Sequence, residues 1–431
     1  MLSARAFLFA GLVALAGVLA VWTSSPALEF FSRLLLVSMA FAYVADGALA
    51  SRRRLRGHVS ESGLLPLGRE VTLPLEIEMT PATPATIELR AVLRDGLETR
   101  DAVEVHRHSG KRSLRIGLPV RAVALGEYAE LGLPARVLGP LGLTWWRHPV
   151  PLDRTLRVVP DPATRAFERS RARTGASATL QHSGGGADYF QLRPYRVGDP
   201  RGRIDWKASA RSDDLITRDV VVEQRQEIML MIDVGRASRT EIDGLPRLGH
   251  FVNLAARFVS LAAGTDDAIG LIAYADQPLM AVPPLRAATS LSRLQRELAQ
   301  LVPRPIESNP LLAVLRLQAI ARHRTLVVMM TDIDDTASAT QFAAALGLIA
   351  RRHLPVVVDV ESVEVAELED AEPRAWLDPW VALAAQEFRH GQRTNARRLA
   401  HLGCQVVLVR PALAEARIAR LYESIRAQRR L

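Results

Sequence analysis

The spacing of apolar positions changes character twice along the chain. Ala6 to Trp22 is an uncharged apolar run, and after the break Thr23-Ser24-Ser25-Pro26 a second run extends from Ala27 to Ala50. Seventeen helical residues span about 25 Å, slightly less than a ~30 Å hydrocarbon core, and Arg5 and Trp22 can extend the first run by sitting at the interfaces. The second run carries Glu29, Arg33 and Asp46, with Glu29 and Arg33 spaced i,i+4 so that they can pair. From Gly57 to about Pro160 apolar and polar residues alternate with period two. Val71–Met79, Ala85–Leu93, Ser113–Val120 and Thr155–Val159 are the clearest runs, and the pattern predicts a small β-sandwich. From Glu227 the apolar runs become continuous and too short for helices: Ile228–Asp233, Ala268–Tyr274, Thr325–Met330, Pro355–Val360 and Gln405–Val409. Helical stretches lie between them, at about Leu248–Ala263, Leu291–Leu301, Leu311–His323, Ala337–Arg352 and Trp380–His401, with a last one at Ala412–Arg429. This alternation predicts a doubly wound, mainly parallel α/β sheet.

The expected organisation is therefore a helical hairpin with a basic flank (1–56), a β-sandwich-like domain (57–160), a polar segment (161–226) and an α/β domain (227–431). A cleaved signal peptide competes for the first run, with Ser25-Pro26-Ala27 as a small-residue site. The second apolar run and the four arginines Arg52, Arg53, Arg54 and Arg56 favour a membrane hairpin, and the positive-inside rule then places the bulk of the chain in the cytoplasm. The expected location is a membrane bordering the cytoplasm. Those arginines also supply much of the net charge of +9. The remaining arginines are scattered, so nucleic-acid binding rests on charge alone and is not expected. The chain has a single cysteine, Cys404, which excludes an intramolecular disulfide framework and suits a reduced compartment. Next to an apolar strand it reads as core filler. The five histidines His250, His323, His353, His390 and His401 are expected at the surface.

In a doubly wound sheet, ligands sit at the carboxyl ends of strands, where Asp233 and Asp332 stand. Domains resembling the A domain of von Willebrand factor bind a metal there through Asp-x-Ser-x-Ser, a Thr on a second loop and an Asp on a third. This chain reads Asp233-Val-Gly235-Arg236-Ala237-Ser238, so both signature serines are lost. Asp332 fits the third loop and Ser308 is a weak stand-in for the Thr. A degenerate Mg²⁺ site at Asp233, Ser308 and Asp332 is one expectation. The other is an aspartate that caps the next turn or pairs with an arginine such as Arg236. Gly184-Gly185-Gly186 lacks the Lys and Ser/Thr of a phosphate loop and reads as a flexible entry; the acidic run Glu361, Glu364, Glu367, Glu369, Asp370 and Glu372 reads as a solvated loop. No catalytic constellation is recognisable, so neither an enzyme nor a cofactor is expected.

The densest chemistry lies between Asp188 and Arg211, in Asp188-Tyr-Phe-Gln-Leu-Arg193-Pro-Tyr195-Arg196-Val-Gly198-Asp199-Pro-Arg201-Gly-Arg203-Ile-Asp205-Trp206-Lys207-Ala-Ser-Ala-Arg211. This segment resembles the hallmark of the bacterial domain of unknown function 58 family, and the hairpin, the Gly139-Pro140-Leu141-Gly142-Leu143 stretch and the A-like domain match as well. The resemblance implies a membrane-anchored protein associated with a MoxR-type AAA+ ATPase and other A-domain membrane proteins. Two roles remain open for the hallmark. Tyr195, Asp199, Arg201, Arg203, Asp205, Trp206, Lys207 and Arg211 can form a docking face, since Trp, Tyr and Arg are enriched in hot spots. The same residues can instead brace a long loop through Arg–Asp forks. The expected function is that of a membrane-anchored interaction or scaffold protein. The rival is a metal-dependent hydrolase using Asp233, Asp332 and Asp334, beside Asp335.

Overall fold

A computed structural model of the protein describes residues 2–59, 63–90, 93, 95–99, 103–108, 113–129, 132–161, 189–199, 201–212, 214–221, 226–265, 267–334 and 336–427. The connector over 165–173, the Gly184–Gly186 run, Asp188 and Asp335 lie outside the described residues. The chain divides into two compact units, residues 1–161 with 244–249 and residues 162–243 with 250–431, so the hallmark groups with the α/β part.

The first unit opens with two helices, α1 (Ala4–Thr23) and α2 (Pro26–Ser51), both long and apolar enough to cross a membrane. Ser3 caps α1 through a hydrogen bond from Ala6 N, Pro26 occupies the first turn of α2, and Glu29 and Arg33 form an ion pair at 3.3 Å.

The strands of this unit are β1 (Arg54–Val59), β2 (Leu64–Pro66), β3 (Glu70–Thr80), β4 (Ala85–Arg90), β5 (Leu97–Glu98), β6 (Val103–His108), β7 (Ser113–Ala122), β8 (Gly126–Tyr128), β9 (Gly132–Leu138), β10 (Trp145–Pro151) and β11 (Leu156–Val159). They form sheets in the orders β1-β3-β7-β5, β10-β9-β4-β6 and β2-β11-β8. Alternate residues point into one core, including Leu75, Ile77 and Met79 from β3, Leu118 from β7, Ile87 from β4 and Val137 from β9. The sheet begins earlier than the sequence pattern suggests. Arg54 and Arg56 are outward positions of β1, and Arg53 is buried, so the basic flank is partly built into the sandwich.

Helix α2 is tied to this sandwich by an aspartate with no exposure, Asp46. Its Oδ1 accepts a hydrogen bond from Leu141 N at 2.7 Å, and its Oδ2 accepts from Leu143 N at 3.0 Å, Thr144 N at 2.8 Å and Thr144 Oγ1 at 2.8 Å. The Gly-Pro-Leu-Gly-Leu stretch is thus an anion cradle, and a Cβ on Gly139 would collide with the Asp46 carboxylate. Ser3 N donates to Leu143 O at 2.9 Å, and His148 Nε2 donates to Ala50 O at 2.9 Å. Burial lowers the His148 pKa, and the nearby charge of Arg53 acts in the same direction.

The second unit contains a hairpin of β12 (Tyr189–Pro194) and β13 (Ile216–Val221), a single helical turn α3 (Trp206–Ser209) between them, and then the α/β part. Its sheet uses β14 (Glu227–Asp233), β17 (Ala268–Tyr274), β18 (Pro278–Arg286), β19 (Leu326–Met330), β20 (Leu354–Val360) and β21 (Gln405–Val409); the two-residue strands β15 (Glu241–Ile242), in this unit, and β16 (Leu245–Pro246), in the first, lie outside it. The order is β18-β17-β14-β19-β20-β21, parallel except for β18. That antiparallel edge strand is absent from the sequence expectation, because Pro278, Pro283 and Pro284 mask its strand pattern. Residues 228 to 233 of β14 are all buried, so both sheet faces are covered.

Helices α4 (Arg247–Ala263), α5 (Ala287–Ala299), α6 (Pro310–Ile320), α7 (Thr336–Ile349), α8 (Val363–Asp370), α9 (Asp378–His401) and α10 (Pro411–Ala427) follow the predicted alternation, with one correction. Glu364, Glu367, Glu369 and Asp370 of the acidic run lie in helix α8, which is capped by Ser362 and packs on α9, rather than in a loop; Glu361 and Glu372 flank it. Cys404 is buried as expected, and His353 is buried rather than at the surface.

Candidate functional site

Parallel strands bring their carboxyl ends to one edge, so β14 and the loop after β19 place Asp233, Thr331 and Asp332 together. Asp233 is buried, and its carboxylate is occupied on both oxygens. Oδ1 accepts from Gly235 N at 2.8 Å and from the Ser308 hydroxyl, and Oδ2 accepts from Thr331 Oγ1 at 2.7 Å. Burial raises the Asp233 pKa despite these hydrogen bonds, and the charge of Asp332 adds to the effect. Neighbouring Tyr274 is fully buried and raised for the same reason.

The degenerate metal signature is thus closed by the chain itself. Ser308 fills the space where the first signature serine would stand, and a Cβ on Gly235 would strike its hydroxyl. Ser238, the late serine, turns inward and donates to Gly235 O at 2.7 Å. Arg236 does not neutralise Asp233; it pairs with Glu307 across the exposed rim. The hydroxyls of Ser308 and Thr331 donate to Asp233 but keep their lone pairs, while Gly235 and Ala237 leave the two serine positions of the signature without an oxygen ligand.

A second acidic group lies one strand over. Asp332, Asp334 and Asp359 offer carboxylate oxygens within 4.8 Å of one another. Asp332 Oδ1 accepts from Asp334 N at 2.8 Å, and Gln392 Nε2 donates to Asp334 at 2.7 Å and to Asp359 at 3.4 Å. Asn395 Nδ2 donates to Ile333 O at 2.9 Å. Thr331, Asp359, Gln392 and Asn395 escape a reading of the sequence. A signal exists for the last two: with Ala385 and Leu399 they complete the buried stripe of α9, where amides replace apolar residues.

The hallmark divides its residues by charge sign. Asp205 caps α3, accepting from Lys207 N and Ala208 N at 3.1 Å each. Asp199 Oδ2 accepts from Arg196 N at 2.9 Å and fixes the preceding turn, over which Tyr195 lies half-buried. The acids thus shape backbone, while Arg201, Trp206, Lys207 and Arg211 stand in solvent, with Trp206 67% exposed. The side chain of Arg203 lies outside the described residues. Among the described residues, Arg196, Arg201, Lys207 and Arg211 show no ion pair, and the acids of the segment hold its turns through backbone N–H groups.

With that geometry in place, residues 191–398 match the family described as "Protein of unknown function DUF58". This region belongs to the DUF58 family. Among solved structures, the chain is similar to the conserved hypothetical protein BatB from Bacteroides thetaiotaomicron, at 15% identity over 47% of this chain and 99% of that one, with a TM-score of 0.34. It is also similar to an uncharacterized membrane spanning protein from Vibrio fischeri, at 16% identity over 48% of this chain and 99% of that one, with a TM-score of 0.18. No curated protein matches the chain. The DUF58 region contains the exposed cations, Trp206, the closed Asp233 site and the amide-lined acidic group, but ends before β21 and α10.

Proposed function

We propose that the chain is a membrane-anchored interaction protein, held at the cytoplasmic face of a bacterial inner membrane by its helical hairpin. Its α/β unit is read as a von Willebrand factor A-like domain without a working metal site, and its partners as a MoxR-type AAA+ ATPase and other A-domain membrane proteins. The observation that carries this reading is the hallmark surface, where turns capped by Asp199 and Asp205 hold Trp206 and cations in solvent. An exposed, locally rigid aromatic flanked by cations suits a hot spot better than a brace. The test is in-membrane cross-linking of the full chain followed by capture and mass spectrometry, run beside Trp206→Ala and Lys207→Glu. Loss of an AAA+ ATPase in both variants supports the reading. Undiminished capture in both overturns it.

One observation favours a second reading, a metal-dependent hydrolase: the three carboxylates of Asp332, Asp334 and Asp359. Asp359 takes the place assigned to Asp233, whose oxygens are already occupied. A melting temperature raised by Mn²⁺ in the full chain and unmoved in Asp359→Asn supports it; no response to Mn²⁺ removes it.

A further inference from the structure

The first turns of helix α9 and the turn before it are largely exposed. Trp376 (79% exposed) and Trp380 (63% exposed) stand four residues apart, followed by Leu383, while Leu377, Val381 and Phe388 form an adjoining exposed stripe. Such spacing makes one broad apolar helical face, and a contiguous exposed patch of this kind marks a contact surface. Its presentation is built in. Asp378 Oδ2 accepts from Arg374 N and Ala375 N at 2.7 Å each, which fixes the turn bearing Trp376, and these hydrogen bonds lower the Asp378 pKa.

The rim of this face is acidic. Helix α8 packs on α9, joined by the ion pair of Glu369 with Arg389, and leaves Glu364, Glu367 and Asp370 exposed. The connecting turn adds Glu372 against a single cation, Arg374. The hallmark segment has the opposite sign: Arg196, Arg201, Lys207 and Arg211 are exposed along the stretch that also exposes Trp206 and Val197, with Asp214 as an exposed acid after it. Both faces belong to the same unit and both are exposed, so neither covers the other within one chain.

We propose that the acidic, Trp-bearing face of α8 and α9 docks on the cationic hallmark face of a second copy of this chain. The contact is heterologous, so a pair joined by it still has one face of each kind free, and further copies extend it into a closed ring or an open row. A bilayer is the poorer occupant, because the carboxylates of α8 would approach anionic headgroups. The inference rests on the hallmark being a docking face but not on its client; self-association and ATPase capture then compete for one surface.

The test uses the full chain in detergent micelles with single substitutions Ala384→Cys and Val197→Cys. Native Cys404 gives little background, because it is buried and its thiol is pushed up to about 12 by desolvation. Mild oxidation of the mixed proteins is expected to join an Ala384→Cys chain to a Val197→Cys chain, with neither protein cross-linking to itself. Reversing Glu364, Glu367 and Asp370 to Lys should cut the yield about tenfold, and reversing Arg196, Arg201 and Lys207 to Glu in the other protein should restore it. Three results overturn the proposal: no mixed disulfide, disulfides only between Ala384→Cys chains, or a Trp fluorescence shift on phosphatidylcholine–phosphatidylglycerol vesicles without any mixed disulfide. If ATPase capture still depends on Trp206 while the disulfide is absent, the docking reading stands and only self-association falls.

Discussion

Asp46 and Thr144 are joined twice, through the backbone N and the Oγ1 of Thr144, both to the same carboxylate oxygen at 2.8 Å. They lie 98 residues apart in sequence, one on a helix suited to a bilayer and the other at the mouth of a β-strand. Removing the carboxylate leaves three backbone N–H groups and a hydroxyl without their acceptor. Asp46→Ala should therefore cost about 3 kcal/mol or more, against roughly 1 kcal/mol for Thr144→Val, which removes one bond. Urea unfolding of the full chain in micelles measures both. Equal costs would mean that the cradle is held by something other than the carboxylate.

Asp233 should impose a pH slope rather than a metal requirement. Its pKa is raised above that of the unfolded chain, so the folded state holds the proton more tightly. Its contribution to stability then declines as pH rises from the ordinary carboxylate value of about 4 through the higher folded one. Asp233→Asn should flatten this slope, and excess Mg²⁺ should not raise the melting temperature through this residue. A stability difference between the two proteins that does not vary with pH would contradict the assignment.

His58 gives a slope in a higher window. Asp153 Oδ2 lies 2.9 Å from its Nδ1, and that hydrogen bond is the main cause of its raised pKa. The stability this linkage provides is full below the unfolded value of about 6.5 and is lost as pH rises through the raised folded value. Unfolding midpoints measured from pH 6.5 upward should fall in the wild type more than in His58→Gln. Parallel curves would show the pairing to be energetically idle.

Asp205 tests whether the hallmark works through shape. Asp205→Ala removes the cap of a four-residue helix, a local loss of about 1 kcal/mol. Partner capture should drop as it does in Trp206→Ala, while Asp205→Asn, which keeps an acceptor oxygen, should retain it. Full capture by Asp205→Ala would make the orientation of Trp206 irrelevant.

Much of the architecture was legible because it follows from burial. Val327 and Val357 lie in strands covered on both faces, and such strands announce themselves as unbroken apolar runs. Alternation did the same for Leu75 and Ile77 in the sandwich. What stayed hidden were polar groups whose partners are remote in sequence. Asp46 looked like an awkward charge in a membrane run, since nothing local shows that a loop near residue 140 would enclose it. Asp233 was visible as a strand end, but Thr331 and Ser308 as its donors were not, because a hydroxyl carries no period. Asp359 lies within the apolar run Pro355–Val360 without a signal of its own, and only the parallel register of β19 and β20 sets it beside the Asp332 loop.

The connection between the first two helices is the pair Ser24 and Ser25, the first left-handed at φ 51° and the second extended into Pro26. A hairpin closed this tightly, once laid across a bilayer, returns the chain to the side from which it entered. On the opposite side it exposes little beyond a serine turn, so a protease or a membrane-impermeant label applied there would find almost no substrate.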